Sequence, residues 1–213
     1  MPPYTGAPVA TFNPTSGAFS ILRALLVAPN GDLWVSDDYN SFVWKYAAPI
    51  SGSPSPAVTL SGIGSPDELA LDPSGDLFVS DGQSYQLDEY APPISTGASH
   101  SLQVNNSPNV PSALITDASG NQYVSTWAAQ GCFCSSRMYF VAAGATSASA
   151  SIAIDVADTN TSSVPRSLAF GTNGIYTFDL GGNSVLEFNL GLTAKINPIT
   201  TGIKQPYALA IEP

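Results

Sequence analysis

Apolar residues in this chain alternate with polar ones in bursts of four to six, and Gly, Pro, Asn, Asp or Ser breaks each burst. Period-two runs of that length, rich in β-branched and aromatic residues, predict short β-strands; no stretch holds the three-to-four spacing of an amphipathic helix. The bursts recur in a fixed order. "LRALLVAPNG", "PDELALDPSG", "PSALITDASG" and "PRSLAFGTNG" align on Gly31, Gly75, Gly120 and Gly174, which are 44, 45 and 54 residues apart. After each glycine comes "DLWVSD", "DLFVSD", "NQYVST" or "IYTFD". A third run then ends on an aromatic, at Tyr46, Tyr90, Phe140 or Phe188. A fourth run follows each Pro- or Gly-rich link, at 56–60, 100–104, 150–154 and 195–199, and "PVATF" at 8–12 is a further copy of it.

Each unit therefore predicts four short strands, about 44 residues in all, with two faces that it cannot bury alone. Stacking such units side by side is the construction of a β-propeller. The expected fold is all-β: four complete blades plus one split or incomplete blade within a single domain. Residues 1–17 would give the outer strand of the split blade, 18–62, 63–106, 107–163 and 164–202 blades 1 to 4, and 203–213 its inner strand. An inner and an outer strand are not neighbours in a four-stranded sheet. Three readings of the ends stay open: an abbreviated fifth blade, a segment of a longer propeller, or edges completed by another copy.

The order of proline, apolar strand, "DPSGDLFVSD", polar turn and aromatic-ended strand resembles NHL-type repeats. It is similar to the wider group of gluconolactonase-like and streptogramin-lyase-like propellers. The resemblance covers residues 18–213 and implies the fold; that fold hosts many unrelated activities. It also implies that any site lies at the channel mouth, where the loops entering the inner strands meet the turns after the second strands. Arg23, Asp67, Glu68, Arg166 and Lys204 fall in the first group of loops. Asp37, Asp38, Asn40, Asp81, Gln83, Trp127, Asp179 and Asn183 fall in the second.

Chemistry at those positions is sparse. Asp67, Glu68, Asp81 and Asp179 are the candidate oxygen ligands for a hard cation such as Ca²⁺, as gluconolactonase-like propellers hold their metal with acidic and amide side chains. The bland reading is that Asp37, Asp81 and Asp179, recurring at one repeat position, accept bonds from turn N–H groups. Asp67 and Glu68 instead break the repeat. The lone histidine, His100, opens a fourth strand at the outer edge, so no Ser–His–carboxylate set forms and no catalytic residue is assigned. Streptogramin-lyase-like enzymes use a histidine in the site, which no channel-mouth loop here supplies.

The insertion "WAAQGCFCSSR" lengthens one turn of blade 3 and is the most individual loop of that face. Trp127, Cys132, Phe133 and Cys134 make it the expected contact surface. Two thiols fall short of a four-ligand zinc site, which leaves a strained Cys132–Cys134 disulfide, a disulfide bridging copies, or free thiols, the oxidised local loop being the favoured reading. Sequons stand at Asn105 and Asn160.

Composition narrows the function classes further. Of 213 residues only 10% are charged, and 16 acidic side chains against 6 basic ones leave a net charge of −10. Nucleic acid and anionic membranes would repel such a surface, and nothing here predicts membrane insertion. The acidic, Lys-poor, Ser- and Thr-rich chain is expected outside the cell or at its surface. The expected function is a non-enzymatic scaffold that binds protein partners or further copies of itself. The alternative is a metal-dependent propeller hydrolase or lyase.

Overall fold

The computed structural model describes residue 10, residues 21–100, 102–105, 109–128, 136–154, 165–179, 184–196 and residue 199. Blade 1 comprises β1 (Leu22–Val27), β2 (Leu33–Asp37), β3 (Phe42–Tyr46) and β4 (Val58–Ser61). Blade 2 comprises β5 (Pro66–Leu71), β6 (Leu77–Asp81), β7 (Gln86–Tyr90) and β8 (Leu102–Asn105). Blade 3 comprises β9 (Asn109–Thr116), β10 (Gln122–Ala128), β11 (Arg137–Val141) and β12 (Ala150–Ala153). Blade 4 holds β13 (Pro165–Phe170), β14 (Ile175–Asp179) and β15 (Ser184–Phe188). Its fourth run joins β15 through bridges at Lys195 and Ile199. Every sheet is an antiparallel meander in chain order. The fold is an all-β propeller. Among the described residues no helix is long and apolar enough to cross a membrane.

The inner strands β1, β5, β9 and β13 sit side by side in sequence order, so the four sheets form an open arc. Three apolar seams hold it together. Ala24, Trp34 and Val43 of blade 1 meet Leu69, Leu77, Val79 and Tyr90 of blade 2. Ala70, Phe78 and Leu87 meet Leu114, Val124 and Val141. Ala113, Tyr123 and Met138 meet Leu168, Ile175, Leu186 and Phe188. Alternation along each strand thus buries both faces of a blade, one against the blade before and one against the blade after. Trp34, Phe78 and Tyr123, equivalent positions of the second strands, are all buried in these seams, and Tyr176, the fourth of the set, is half-buried.

Strand pairing corrects one repeat position. Tyr46, Tyr90 and Phe188 pair with Leu33, Leu77 and Ile175, but in blade 3 the partner of Gln122 is Val141 rather than Phe140. Register follows which side of the sheet is buried, and Val141 is fully buried while Phe140 is not. Counting to the last aromatic misplaced the position by one.

The phase glycines prove unequal. Gly31, Gly75 and Gly120 adopt φ of 88°, 87° and 80°, where a side chain is strained. Gly174 is required for a different reason: a Cβ there would strike the Phe188 carbonyl oxygen. The N-terminal copy of the fourth run appears in the described residues only as Ala10, bridged in parallel to Gly52.

Candidate functional site

Each inner strand carries a register shift at its channel-mouth end, between Leu22 and Leu25, Pro66 and Leu69, and Pro165 and Leu168. In blade 3 the shift falls opposite Ser125 and Thr126. A bulge leaves a backbone N–H without a ladder partner and turns side chains out of the regular alternation. The freed N–H finds a serine. Ala24 N–H donates to Ser36 Oγ at 2.8 Å, and Glu68 N–H donates to Ser80 Oγ at 2.7 Å.

Both serines are fully buried, and the proton of Ser36 reaches outward. Ser36 Oγ donates to the Asp67 carbonyl of the next blade at 2.8 Å. At the junction of blades 3 and 4, Ser112 Oγ donates to the Pro165 carbonyl at 2.6 Å. Sequence reasoning missed this polar stitching. Its only trace was the repeated "VS" of the second strand, and blade 4 breaks even that with Phe178.

The bulges bring charged residues together between blades 1 and 2. Arg23 donates to Asp38 Oδ2 from Nη2 at 2.7 Å and from Nε at 3.1 Å, and its Nε lies 4.0 Å from Asp67 Oδ1. Ser65 Oγ donates to the other oxygen of Asp38 at 2.5 Å. Burial works against the Asp38 carboxylate, but the bonds from Ser65 and Arg23 outweigh it and hold its carboxyl below the usual range. The bond to Asp38 raises Arg23 in turn.

Glu68 is half-buried beside this row. Burial, reinforced by the neighbouring Asp67 charge, pushes its carboxyl up to about 7 despite a backbone bond from Leu69. It is the group in this region whose proton is exchangeable near neutrality.

The recurring aspartates serve their turns. Asp81 accepts Gln83 N–H and Ser84 N–H within its own turn, at 3.0 and 3.3 Å. It also accepts Gly64 N–H and Ser65 N–H, at 2.9 and 3.0 Å, and so ties down the loop that enters β5. Asp37 accepts Asn40 N–H and Asn40 Nδ2, at 3.2 and 2.7 Å. Blade 3 has Thr126 instead, whose Oγ1 donates to the Arg137 carbonyl at 3.0 Å.

Of the proposed Ca²⁺ ligands, Asp67 and Glu68 are adjacent on β5 and Asp81 closes the turn after β6. The side chain of Asp179 lies outside the described residues. Among the described residues no three His, Cys, Asp or Glu side chains gather as a metal group. Trp127 sits half-buried near the end of β10, paired with Val110 where this hairpin runs past its counterparts. Cys132, Phe133, Cys134 and Asn160 lie outside the described residues, as does the side chain of Asn105 in β8. The side chain of Arg166, and Asn183 and Lys204, lie outside them too. His100 is exposed just before β8. One buried oxygen among the described residues has no partner: Oδ1 of Asn109, whose Nδ2 donates to the Tyr139 hydroxyl at 2.9 Å.

No protein-family model matches the sequence, and no curated protein gives a significant match. Solved structures do match in fold. Virginiamycin B lyase from Staphylococcus aureus is 10% identical with a TM-score of 0.67, over 90% of this chain and 60% of that one. The periplasmic gluconolactonase of Pseudomonas aeruginosa is 13% identical with a TM-score of 0.64, over 88% and 55%. A protein from Lactobacillus plantarum is 17% identical with a TM-score of 0.63, over 89% and 57%. The chain thus has the β-propeller fold of the gluconolactonase-like and streptogramin-lyase-like group, and it spans little more than half the length of these neighbours.

Proposed function

We propose that this chain is a non-enzymatic propeller scaffold, outside the cell or at its surface, that binds protein partners or further copies of itself through the exposed apolar strip of β1. One observation carries the reading. Leu25, Leu69, Leu114 and Leu168 occupy the same repeat position, paired or aligned with the same residue of the second strand. The last three are 4%, 3% and 8% exposed, whereas Leu25 is 69% exposed. Val27 beside it is equally open and Leu22 is exposed as well. Behind them on the same face Val35, Trp44 and Tyr46 are buried, so the opening is an apolar strip along β1, and such a strip is an interaction site in waiting. Sedimentation equilibrium over rising protein concentration tests this. The mass of the wild type should climb above 22.0 kDa, while Leu25→Asp should hold at that value. A wild-type mass that never rises would remove self-association from the proposal.

The specific observation behind a second reading, a metal-dependent hydrolase or lyase, is Glu68 with its raised carboxyl at the channel mouth. There Asp67, Glu68, Asp81 and Asp179 would hold Ca²⁺. The four N–H groups already on Asp81 weigh against it. A rise in melting temperature with Ca²⁺ that vanishes in Asp67→Ala would support this alternative; no rise would end it. On an exported chain, Asn105 and Asn160 would carry glycans and Cys132 and Cys134 a local disulfide, both readable from intact mass.

A further inference from the structure

The dipeptide Asn–Gly occurs twice, each time in the turn between the first and second strands of a blade: Asn30–Gly31 in blade 1 and Asn173–Gly174 in blade 4. Both asparagines are exposed, yet the turns around them are built differently. In blade 1 the turn runs from Ala28 to Asp32. Ala28 N–H donates to the Asp32 carbonyl at 2.8 Å, and Gly31 N–H donates to the Ala28 carbonyl at 2.9 Å. The Asn30 side chain is held as well, its Oδ1 accepting Asp32 N–H at 3.1 Å and its Nδ2 donating to Asp32 Oδ2 at 3.0 Å. Blades 2 and 3 repeat the glycine bond, from Gly75 to Asp72 and from Gly120 to Asp117. The blade 4 turn is one residue shorter and keeps a single backbone bond, from Gly171 N–H to the Gly174 carbonyl at 2.8 Å. Among the described residues neither Gly174 N–H nor the Asn173 amide has a hydrogen-bond partner.

We propose that Asn173 is a site of spontaneous deamidation, a covalent modification whose only co-reactant is water. The Gly174 nitrogen bonds to Asn173 Cγ and gives up its proton, which leaves with the side-chain nitrogen as ammonia and closes a succinimide. Water then opens the ring. Attack at Cγ restores the main chain with an aspartate. Attack at the main-chain carbonyl carbon leaves an isoaspartate, whose chain runs on through the side chain. A following glycine favours the first step in both dipeptides, because no Cβ crowds the attacking nitrogen. The turns then separate them. At Gly31 the attack must break the bond to Ala28 and both bonds of the Asn30 side chain. At Gly174 it breaks none, and it consumes a buried N–H that was unfavourable for want of a partner. The isoaspartate lengthens the main chain of a four-residue turn where Gly174 already packs on the Phe188 carbonyl, so the β13–β14 hairpin bears the change. None of this depends on the scaffold reading.

Peptide mapping of the whole chain, aged in mildly alkaline buffer, tests the assignment, with fragmentation placing each isoaspartate. In the folded protein Asn173 should convert to isoaspartate and aspartate about tenfold or more faster than Asn30, since three hydrogen bonds guard the second site and none the first. The same chain unfolded in urea should convert both at closely similar rates, because the turns are gone and the dipeptides are the same. Each event adds one negative charge to a chain of net charge −10 and releases one ammonia, so anion exchange and ammonia release should track the mapped products. Equal rates at Asn30 and Asn173 in the folded chain would overturn the proposal. So would an Asn173 that stays intact when folded yet reacts in urea, since the blade 4 turn would then protect it. A tenfold preference for Asn173 that persists in urea would also overturn it, by tracing the difference to local sequence and not to the turn.

Discussion

Blades 1 and 2 are written in nearly the same residues, "NGDLWVSDDYNSFVWKYAAPIS" against "SGDLFVSDGQSYQLDEYAPPIS", and their strands pair in the same register. Both even carry a cis X–Pro bond at the same place, Ala48–Pro49 and Pro92–Pro93. Their energetics differ all the same. Blade 2 has a neighbour on each face. Blade 1 packs only one inner-strand face, so Leu25 stands in water while Leu69 sits in the seam. In a quasi-one-dimensional array, an element's stability belongs half to itself and half to its neighbours. A repeated residue therefore has a role only once its place in the array is known.

The sharpest way to break the comparison is to truncate both leucines. Leu69→Ala deletes buried methyls from a seam shared by two blades and should cost about 2–5 kcal/mol. Leu25→Ala removes exposed atoms and should cost under about 0.5 kcal/mol in dilute solution. Urea unfolding of both variants measures the difference. Equal losses would mean that Leu25 is packed in solution even in a single chain.

Glu68 gives the next effect, again without a counterpart in blade 1, where Ala24 occupies the position. Its folded carboxyl is pushed up to about 7, above the ordinary glutamate value of 4.5. The native state therefore holds a proton that the unfolded chain has released. That contribution to stability is full below about pH 4.5 and is lost as pH rises through about 7. The loss is up to about 3 kcal/mol, and less as solvent screens a half-buried group. Glu68→Gln should flatten the stability profile between those limits, and denaturation at several pH values reads it directly.

Between the two blades, the serines differ more subtly. Ser36 accepts from its own bulge and donates to blade 2, whereas Ser80 turns its proton back to the Glu68 carbonyl at 3.4 Å. Ser36→Ala should cost about 1–2 kcal/mol, with Ser80→Ala a little less because no seam is lost. Thermal melts of the pair check the order.

These residues also mark how far the sequence could be read. The blades were legible because strand alternation, turn glycines and inward aromatics recur wherever the backbone recurs, so Leu33, Leu77 and Ile175 announce themselves. The turn role weighed for Asp37 and Asp81 was legible for the same reason. What escaped depends on contacts across blades. Nothing in "VSD" distinguishes Ser36, which bonds its neighbour, from Ser80, which does not. The pairing of Arg23 with Asp38, 15 residues away, needed the bulge to aim it. Phe140 looked like the close of its strand because aromatics end the others, while burial gave that position to Val141. The exposure of Leu25 depends on a neighbour and has no local signal at all.

The smallest effect sits where the blades meet water. Arg23 reaches Asp38 in its own blade and comes within 4.0 Å of Asp67 in the next, at a partly exposed site. An exposed pair of this kind contributes about 0–1 kcal/mol, and salt screens it. Arg23→Gln should therefore lower stability slightly at low ionic strength and not at all at high ionic strength. It should also let the Asp38 carboxyl drift up toward its ordinary range, since one of the two donors holding it down is gone. A carboxyl titration by NMR follows that drift. Blade 2 provides the control: its equivalent position is Asp67, so Asp67→Asn should relieve the charge pressing on Glu68 and lower the Glu68 carboxyl from about 7. If instead Glu68 stays near 7 in Asp67→Asn, burial alone sets it.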